Sequence, residues 1–128
     1  MSGNVRKFLL DTNIIIYSTQ GQLNLHGFLN VDDNLYISSI TYIEALGFSF
    51  QDKQDENKIA DICKKLERLF LTEEVEKQTI LIRKSKKIKL PDAIIAATAI
   101  VHNLTLVTHN SDDFKNISKL KILNPFDN

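Results

Sequence analysis

Proline and glycine are scarce here, with two and four among 128 residues, and Cys63 is the lone cysteine. So little Pro and Gly leaves small room for long linkers or low-complexity segments, and no internal repeat is visible. A single cysteine forms no internal disulfide and suits a reducing compartment. No charge of one sign dominates: 16 Lys and Arg balance 16 Asp and Glu. A chain of zero net charge has no global field to draw it to nucleic acid or anionic lipid, so any nucleic-acid contact must come from a local patch or a bound metal. Long apolar runs are missing too. The opening MSGNVRKFLL has no hydrophobic core of a secretory signal. The longest apolar run, 93–101, is about half a membrane span and contains Thr98. There is no P-loop, no GxGxxG and no serine–histidine–acid order, and His26, His102 and His109 share no metal-ligand spacing.

What is present is an ordinary globular balance, 43% hydrophobic and 25% charged, which excludes disorder, collagen and a coiled-coil rod. A length of 128 residues is one domain's worth and buries roughly two-thirds of its unfolded surface, enough for a core without staples. The expectation is a cytoplasmic protein with no membrane partner, folded as a single domain over 1–128.

Short apolar runs at 7–10, 35–38, 105–108 and 120–123 read as strands, with a further short one at 70–71. Helical signals lie between them. Residues 14–17 look like a short buried helix, 20–34 a weak second one, and 41–49 a third. Residues 52–57 read as a polar connection. Ile59, Ile62, Cys63, Leu66 and Leu69 then recur at three- and four-residue spacing, one face of a long helix. Thr72 can cap the next helix, with Glu73 and Glu74 against the positive dipole end. Pro91 suits the first position of the following helix, apolar almost all round and so buried on most sides. His102 ends it, with Asn103 as its stop signal. Strands alternating with helices argue for an α/β fold: a mostly parallel central sheet of about five strands with helices on both faces. In such sheets the site lies at the carboxyl ends of the strands, where strand order reverses.

Four acids fall at such positions. Asp11 ends the first strand, Glu44 lies in the first turn after the second strand, Asp92 opens the buried helix, and Asp113 follows the 105–108 strand. Each also has a local role. Asp11 can cap the helix after it, Thr41 and Glu44 have capping-box spacing, Asp92 suits a first helical turn, and Asp113 can be a turn aspartate. If they meet, their mutual repulsion raises their pKa values, which a divalent cation relieves. Oxygen donors without cysteine or histidine favour Mg²⁺ or Mn²⁺. A metal so held lowers the pKa of a bound water and binds a phosphoryl oxygen, the equipment of a phosphodiesterase.

Three segments carry a resemblance. FLLDTNIIIY, ISSITYIEALGF and LPDAIIAATAIVHNLTLVTHNSDDF resemble the motifs of the PIN-domain family, specifically the VapC-type toxins of bacterial toxin–antitoxin pairs. The resemblance implies a PIN-like three-layer fold and a Mg²⁺- or Mn²⁺-dependent endoribonuclease. It further implies a structured RNA target such as tRNA or rRNA, a cognate antitoxin that covers the site, and a homodimer. The family's acids carry over onto Asp11, Glu44, Asp92 and Asp113, as catalytic and metal-holding groups. Asn13 and Thr108 would orient carboxylates, and Asn110 would line the site. Asp112 adjoins Asp113 and either could face the metal; the following Phe114 favours Asp113, as in the family's aspartate–phenylalanine pair.

Arg83, Lys84, Lys86, Lys87 and Lys89 place five cations within seven positions. They can complement a helix C-terminus or form a phosphate-binding edge that feeds RNA to Asp92. His109, beside the candidate site, reads as a surface histidine with contact to a phosphate as the alternative, and Cys63 as core filler. Two other functions compete. A phosphoacceptor receiver-like module also uses acids and Mg²⁺ on a parallel sheet, but it needs a strand-end aspartate near residue 55, where the sequence reads QDKQDENK. A PIN-like domain could instead bind RNA without cleaving it, but all four acids are present.

Overall fold

The structure, a computed structural model, describes residues 6–23 and 33–127. Its first strand, β1 (Lys7–Leu10), buries Phe8, Leu9 and Leu10 in succession. A strand that buries consecutive side chains is covered on both faces, the signature of a parallel sheet interior. The chain continues through α1 (Thr12–Thr19), β2 (Asn34–Ser38), α2 (Ser39–Leu46), α3 (Lys53–Lys65), β3 (Glu67–Leu69), α4 (Glu73–Ser85), α5 (Leu90–Val101), β4 (Thr105–Val107), α6 (Ser111–Phe114) and β5 (Lys121–Leu123). The five strands form one sheet in the order β3-β2-β1-β4-β5. Every pairing is parallel, with Leu9 opposite Tyr36 on one side and Leu106 on the other.

Two apolar clusters fill the space above and below. Leu9 and Leu106 face one way and pack with Val75, Ile82, Ala96 and Phe114 from α4, α5 and α6. Phe8, Leu10 and Val107 face the other way and pack with Ile14, Ile15, Ala45, Ile59 and Cys63 from α1, α2 and α3. The alternation along β1 therefore sorts the helices into two layers, giving the expected three-layer α/β arrangement. α5 is the deepest helix, with Ala93, Ile95, Ala96, Ala97, Thr98 and Ala99 buried. The Thr98 hydroxyl donates to the Ile94 carbonyl at 2.7 Å, which allows a polar residue in that stretch. Asn103 turns the chain out of α5 with φ of 55°, the left-handed conformation asparagine tolerates after a helix.

Several boundaries differ from the sequence reading. α2 begins at Ser39 and ends at Leu46 rather than spanning 41–49, because Ser38 accepts from Thr41 N and is the cap. The segment 52–57 is not a connection: Asp52 accepts from Gln54 N and starts α3, with Asp55 and Glu56 in its first turn. α3 stops at Lys65, so Leu66 and Leu69 leave its apolar face, and the strand there is 67–69 instead of 70–71. Pairing with β2 holds those residues extended against their helical spacing. Pro91 takes the second helical position, after Leu90. The weak helix read within 20–34 falls largely on residues 24–32, outside the described residues. Among the described residues no helix is long and apolar enough to cross a membrane.

Candidate active site

From β1 the chain builds outward to β2 and β3, then crosses back to lay β4 on the other side of β1. The carboxyl ends of β1 and β4 thus flank the reversal point, where open α/β sheets leave a crevice. Asp11 follows β1 directly, and its N–H donates to the Val107 carbonyl at 2.9 Å. Its carboxylate is fully engaged. Oδ1 accepts from Thr12 N at 2.8 Å, capping α1, while Oδ2 accepts from Thr108 Oγ1 at 2.7 Å and Asn13 Nδ2 at 3.2 Å. The capping role and a site role therefore coexist on one side chain. Thr108 is buried just past β4, held by its N–H to Leu123 O at 3.0 Å. Its hydroxyl also accepts from Asn110 N at 3.0 Å, so Asn110 reaches the network through its backbone.

Burial pushes the Asp11 carboxyl from 3.8 up to about 6. The bonds from Thr108 and Thr12 pull it down, and the charges of Asp92 and Glu44 push it up further. Asp92, half-buried in the first turn of α5, is also raised, first by burial and then by the charges of Asp113 and Glu44; Lys89 opposes this. The four acids from four separate segments thus act on one another. Asp113 is the member of its pair whose charge reaches Asp92, whereas Asp112 points to solvent and pairs with Lys115 at 3.3 Å.

Glu44 arrives differently from the sequence reading. Ser38 is the cap of α2, Thr41 is its third residue and Glu44 its sixth, so Thr41 and Glu44 form no capping box and Glu44 lies beyond the first turn. Glu44 Oε1 instead accepts from Thr12 Oγ1 at 2.6 Å, and Thr12 Oγ1 also lies 3.1 Å from Thr41 Oγ1. A hydroxyl has one proton, so Thr12 gives its own to the carboxylate and shares that of Thr41. Sequence reasoning missed Thr12 and Thr41 as the bridge from α1 to Glu44. The DTN tripeptide was the available signal, since a threonine between two site residues sits on the site side of the first turn.

The oxygen donors and their mutual repulsion fit a hard divalent cation in kind. They are not yet gathered. Among the described residues no group of three or more His, Cys, Asp or Glu stands ready to hold an ion.

The basic run borders this rim. Arg83 and Lys84 occupy the last turn of α4, Lys86 follows it, and Lys89 precedes α5 and acts on Asp92. Lys86 Nζ donates to the Lys115 carbonyl at 2.6 Å, tying the α4–α5 linker to the segment that carries Asp113. Lys87 is exposed.

Comparison with known proteins places the fold in a family. The sequence profile of the PIN domain matches residues 8–120. A protein of Rickettsia bellii (strain RML369-C) named Ribonuclease VapC is 33% identical over 127 residues, covering 90% of this chain and 93% of that one. The structure of VapBC2 from Rickettsia felis, bound to a DNA fragment from their promoter, is similar with a TM-score of 0.78 and 27% identity, covering 92% of this chain and 98% of that one. A toxin–antitoxin complex from Klebsiella pneumoniae gives a TM-score of 0.73 and 28% identity, covering 94% and 98%.

Proposed function

The chain belongs to the PIN-domain family, and from that premise we propose that it is a metal-dependent endoribonuclease, the toxin of a toxin–antitoxin pair, acting in the cytoplasm on a structured RNA such as tRNA or rRNA. One observation carries the reading. At the reversal point of the sheet, Asp11 is fully hydrogen-bonded yet destabilised as an anion, first by burial and then by repulsion from Asp92 and Glu44. A protein gains nothing in stability from such repulsion, so it marks a site shaped for a positive ligand. Asp11, Glu44, Asp92 and Asp113 would hold Mg²⁺ or Mn²⁺, which when bound supplies an acidified water and neutralises charge on a phosphodiester.

The protein's own groups prepare that reaction. Thr108 and Asn13 fix Asp11 Oδ2, and Thr12 fixes Glu44, so two carboxylates are aimed before substrate arrives. Lys86, Lys87 and Lys89 offer cations to RNA phosphates on the α5 side of the rim. Purified protein should cleave RNA with Mn²⁺ or Mg²⁺ and stop when the metal is chelated. Cleavage that persists after complete chelation would sink the metal-dependent reading.

Replacing Lys84, Lys86, Lys87 and Lys89 together by Gln tests the basic edge. RNA should bind more weakly, with the log–log salt slope shallower by roughly 0.7–0.9 for each phosphate contact removed. An unchanged slope would return the run to a helix-end role.

A cognate antitoxin and a second copy of the chain complete the proposal. Apolar side chains left in the open support protein partners: Ile43, Phe70 and Leu81 are 64%, 60% and 60% exposed. Ile43 also lines a cavity of about 170 Å³ with Ile40, Leu69, Leu71 and Ile94. Contiguous exposed apolar patches mark interfaces, and the cavity at Ile43 is the candidate for one.

A further inference from the structure

Three rings meet beside the carboxylates. His109 and Phe126 have centroids 4.5 Å apart, Tyr17 and His109 5.4 Å, and Tyr17 and Phe126 5.7 Å, all edge to face. They come from three places: α1, the turn after β4, and the segment after β5. Asn124 draws that last segment in. Its Nδ2 donates to His109 O at 2.9 Å and Ser111 Oγ at 3.2 Å, and its Oδ1 accepts from Phe126 N at 2.9 Å.

The cluster is joined to the site by hydrogen bonds. His109 N donates to Asn13 Oδ1 at 3.2 Å, and Asn13 Nδ2 donates to Asp11 Oδ2. Asn13 and Tyr17 are four residues apart on α1, so both lie on one face, about one turn of 5.4 Å apart. A cluster that served only to pin the chain's last residues would bury its rings. Here His109 is exposed and Phe126 is 39% exposed.

Resting on the nuclease reading, we propose that Tyr17, His109 and Phe126 form a nucleobase ledge that stacks an unpaired base of the RNA next to the phosphate at Asp11. Stacking on aromatic rings tolerates any base because every base has a π-face. It requires that face to be free. A base within a helix has both faces covered by its neighbours, so the ledge selects loops, bulges and junctions over paired stem. Within a structured RNA the cut then falls at an unpaired nucleotide. The phosphate edge of Lys86, Lys87 and Lys89 borders the acids at Asp92 and the ledge borders them at Asp11.

The test uses protein made inactive by Asp92→Asn and a short RNA carrying one 2-aminopurine, whose fluorescence falls when it stacks. The single-stranded form should be quenched on binding, and the same label inside a duplex should not. His109→Ala, Phe126→Leu and Tyr17→Leu, each in the inactive background, should remove the quench. Each should weaken binding about 5- to 150-fold, the equivalent of roughly 1–3 kcal/mol for a stacked base. Phe126→Tyr should keep both. Melting curves check the fold; if Phe126→Leu loosens it, His109→Ala decides, since that side chain is exposed. Unchanged quench and affinity in folded ring variants would overturn the ledge while the nuclease stands. Quenching without any cleavage by the parent would overturn the nuclease and keep a base-binding ledge. No binding of either RNA would overturn both.

Discussion

Asp92→Asn should lower RNA cleavage by at least about 100-fold and leave the protein folded. Removing a group that only orients a metal ligand costs about 10- to 100-fold, so losing a proposed ligand costs at least the upper value. The fold should survive because of where Asp92 sits. It is half-buried in the first turn of α5, where its charge meets a favourable helix dipole but is opposed by burial and by Asp113 and Glu44. The raised pKa says that the opposing effects win. Neutralising the side chain in the metal-free protein should therefore leave the melting temperature unchanged or higher. Cleavage rates and melting curves on the same preparations check both halves. Inducing the parent alone should also arrest bacterial growth, and the variant should not. A variant that cuts RNA as fast as the parent would remove Asp92 from the active site.

The second expected result concerns pH. Folding raises the Asp11 carboxyl from 3.8 to about 6. Between those values the folded state holds a proton that the unfolded state has lost. Stability from this group is therefore complete below the unfolded value and declines as pH rises toward the folded one. The shift corresponds to a loss of about 3 kcal/mol, reached above pH 6. Asp92 adds to the same direction. Titrations of groups that do not interact with Asp11 cancel when the parent is compared with Asp11→Asn, so the difference in their unfolding free energies reports Asp11 together with its coupling to Asp92 and Glu44. Without metal the parent should lose about 3 kcal/mol relative to the variant between pH 3 and pH 8. Mn²⁺ at about 100 times its dissociation constant should return about 2.7 kcal/mol to the parent and none to the variant. Parallel stability curves for the two proteins would show that Asp11 is neither strained nor a metal ligand.

That strain explains why the acids are placed as they are. Asp11 alone is locked, by three donors from α1 and the end of β4. Glu44 is aimed by a threonine of α1, and Asp92 and Asp113 carry no such restraint among the bonds described. One locked carboxylate, one aimed and two without such a restraint would suit the proposed site, which has to admit an ion and a bulky substrate. Preorganising all four around an empty centre would cost more repulsion than the fold could offset.

The sequence by itself determined the elements whose signals are local. The burial of β1, the Thr72 cap with acids behind it, the apolar α5 ending at Asn103, and the alternation that makes a parallel α/β sheet all come from residues within one helical turn or one strand of each other. It also nominated the four acids as candidates, Asp11 after a strand and Asp92 and Asp113 near a helix start, with Glu44 left to the family resemblance because its expected first-turn place did not hold. The tertiary structure decided what those acids meet. Thr108 reaches Asp11 across 97 positions, and Thr12 reaches Glu44 across 32, only because β1 lies between β2 and β4. Strand order is a long-range property that hydrophobic period does not carry. Asp112 and Asp113 were inseparable by spacing, yet a helical step of about 100° turns one to Lys115 and the other toward Asp92. Pairing with β2 likewise made 67–69 a strand against its helical pattern. The ring cluster was invisible for the same reason: Tyr17, His109 and Phe126 lie far apart along the chain, and the fold sets them on one rim because three strands end there.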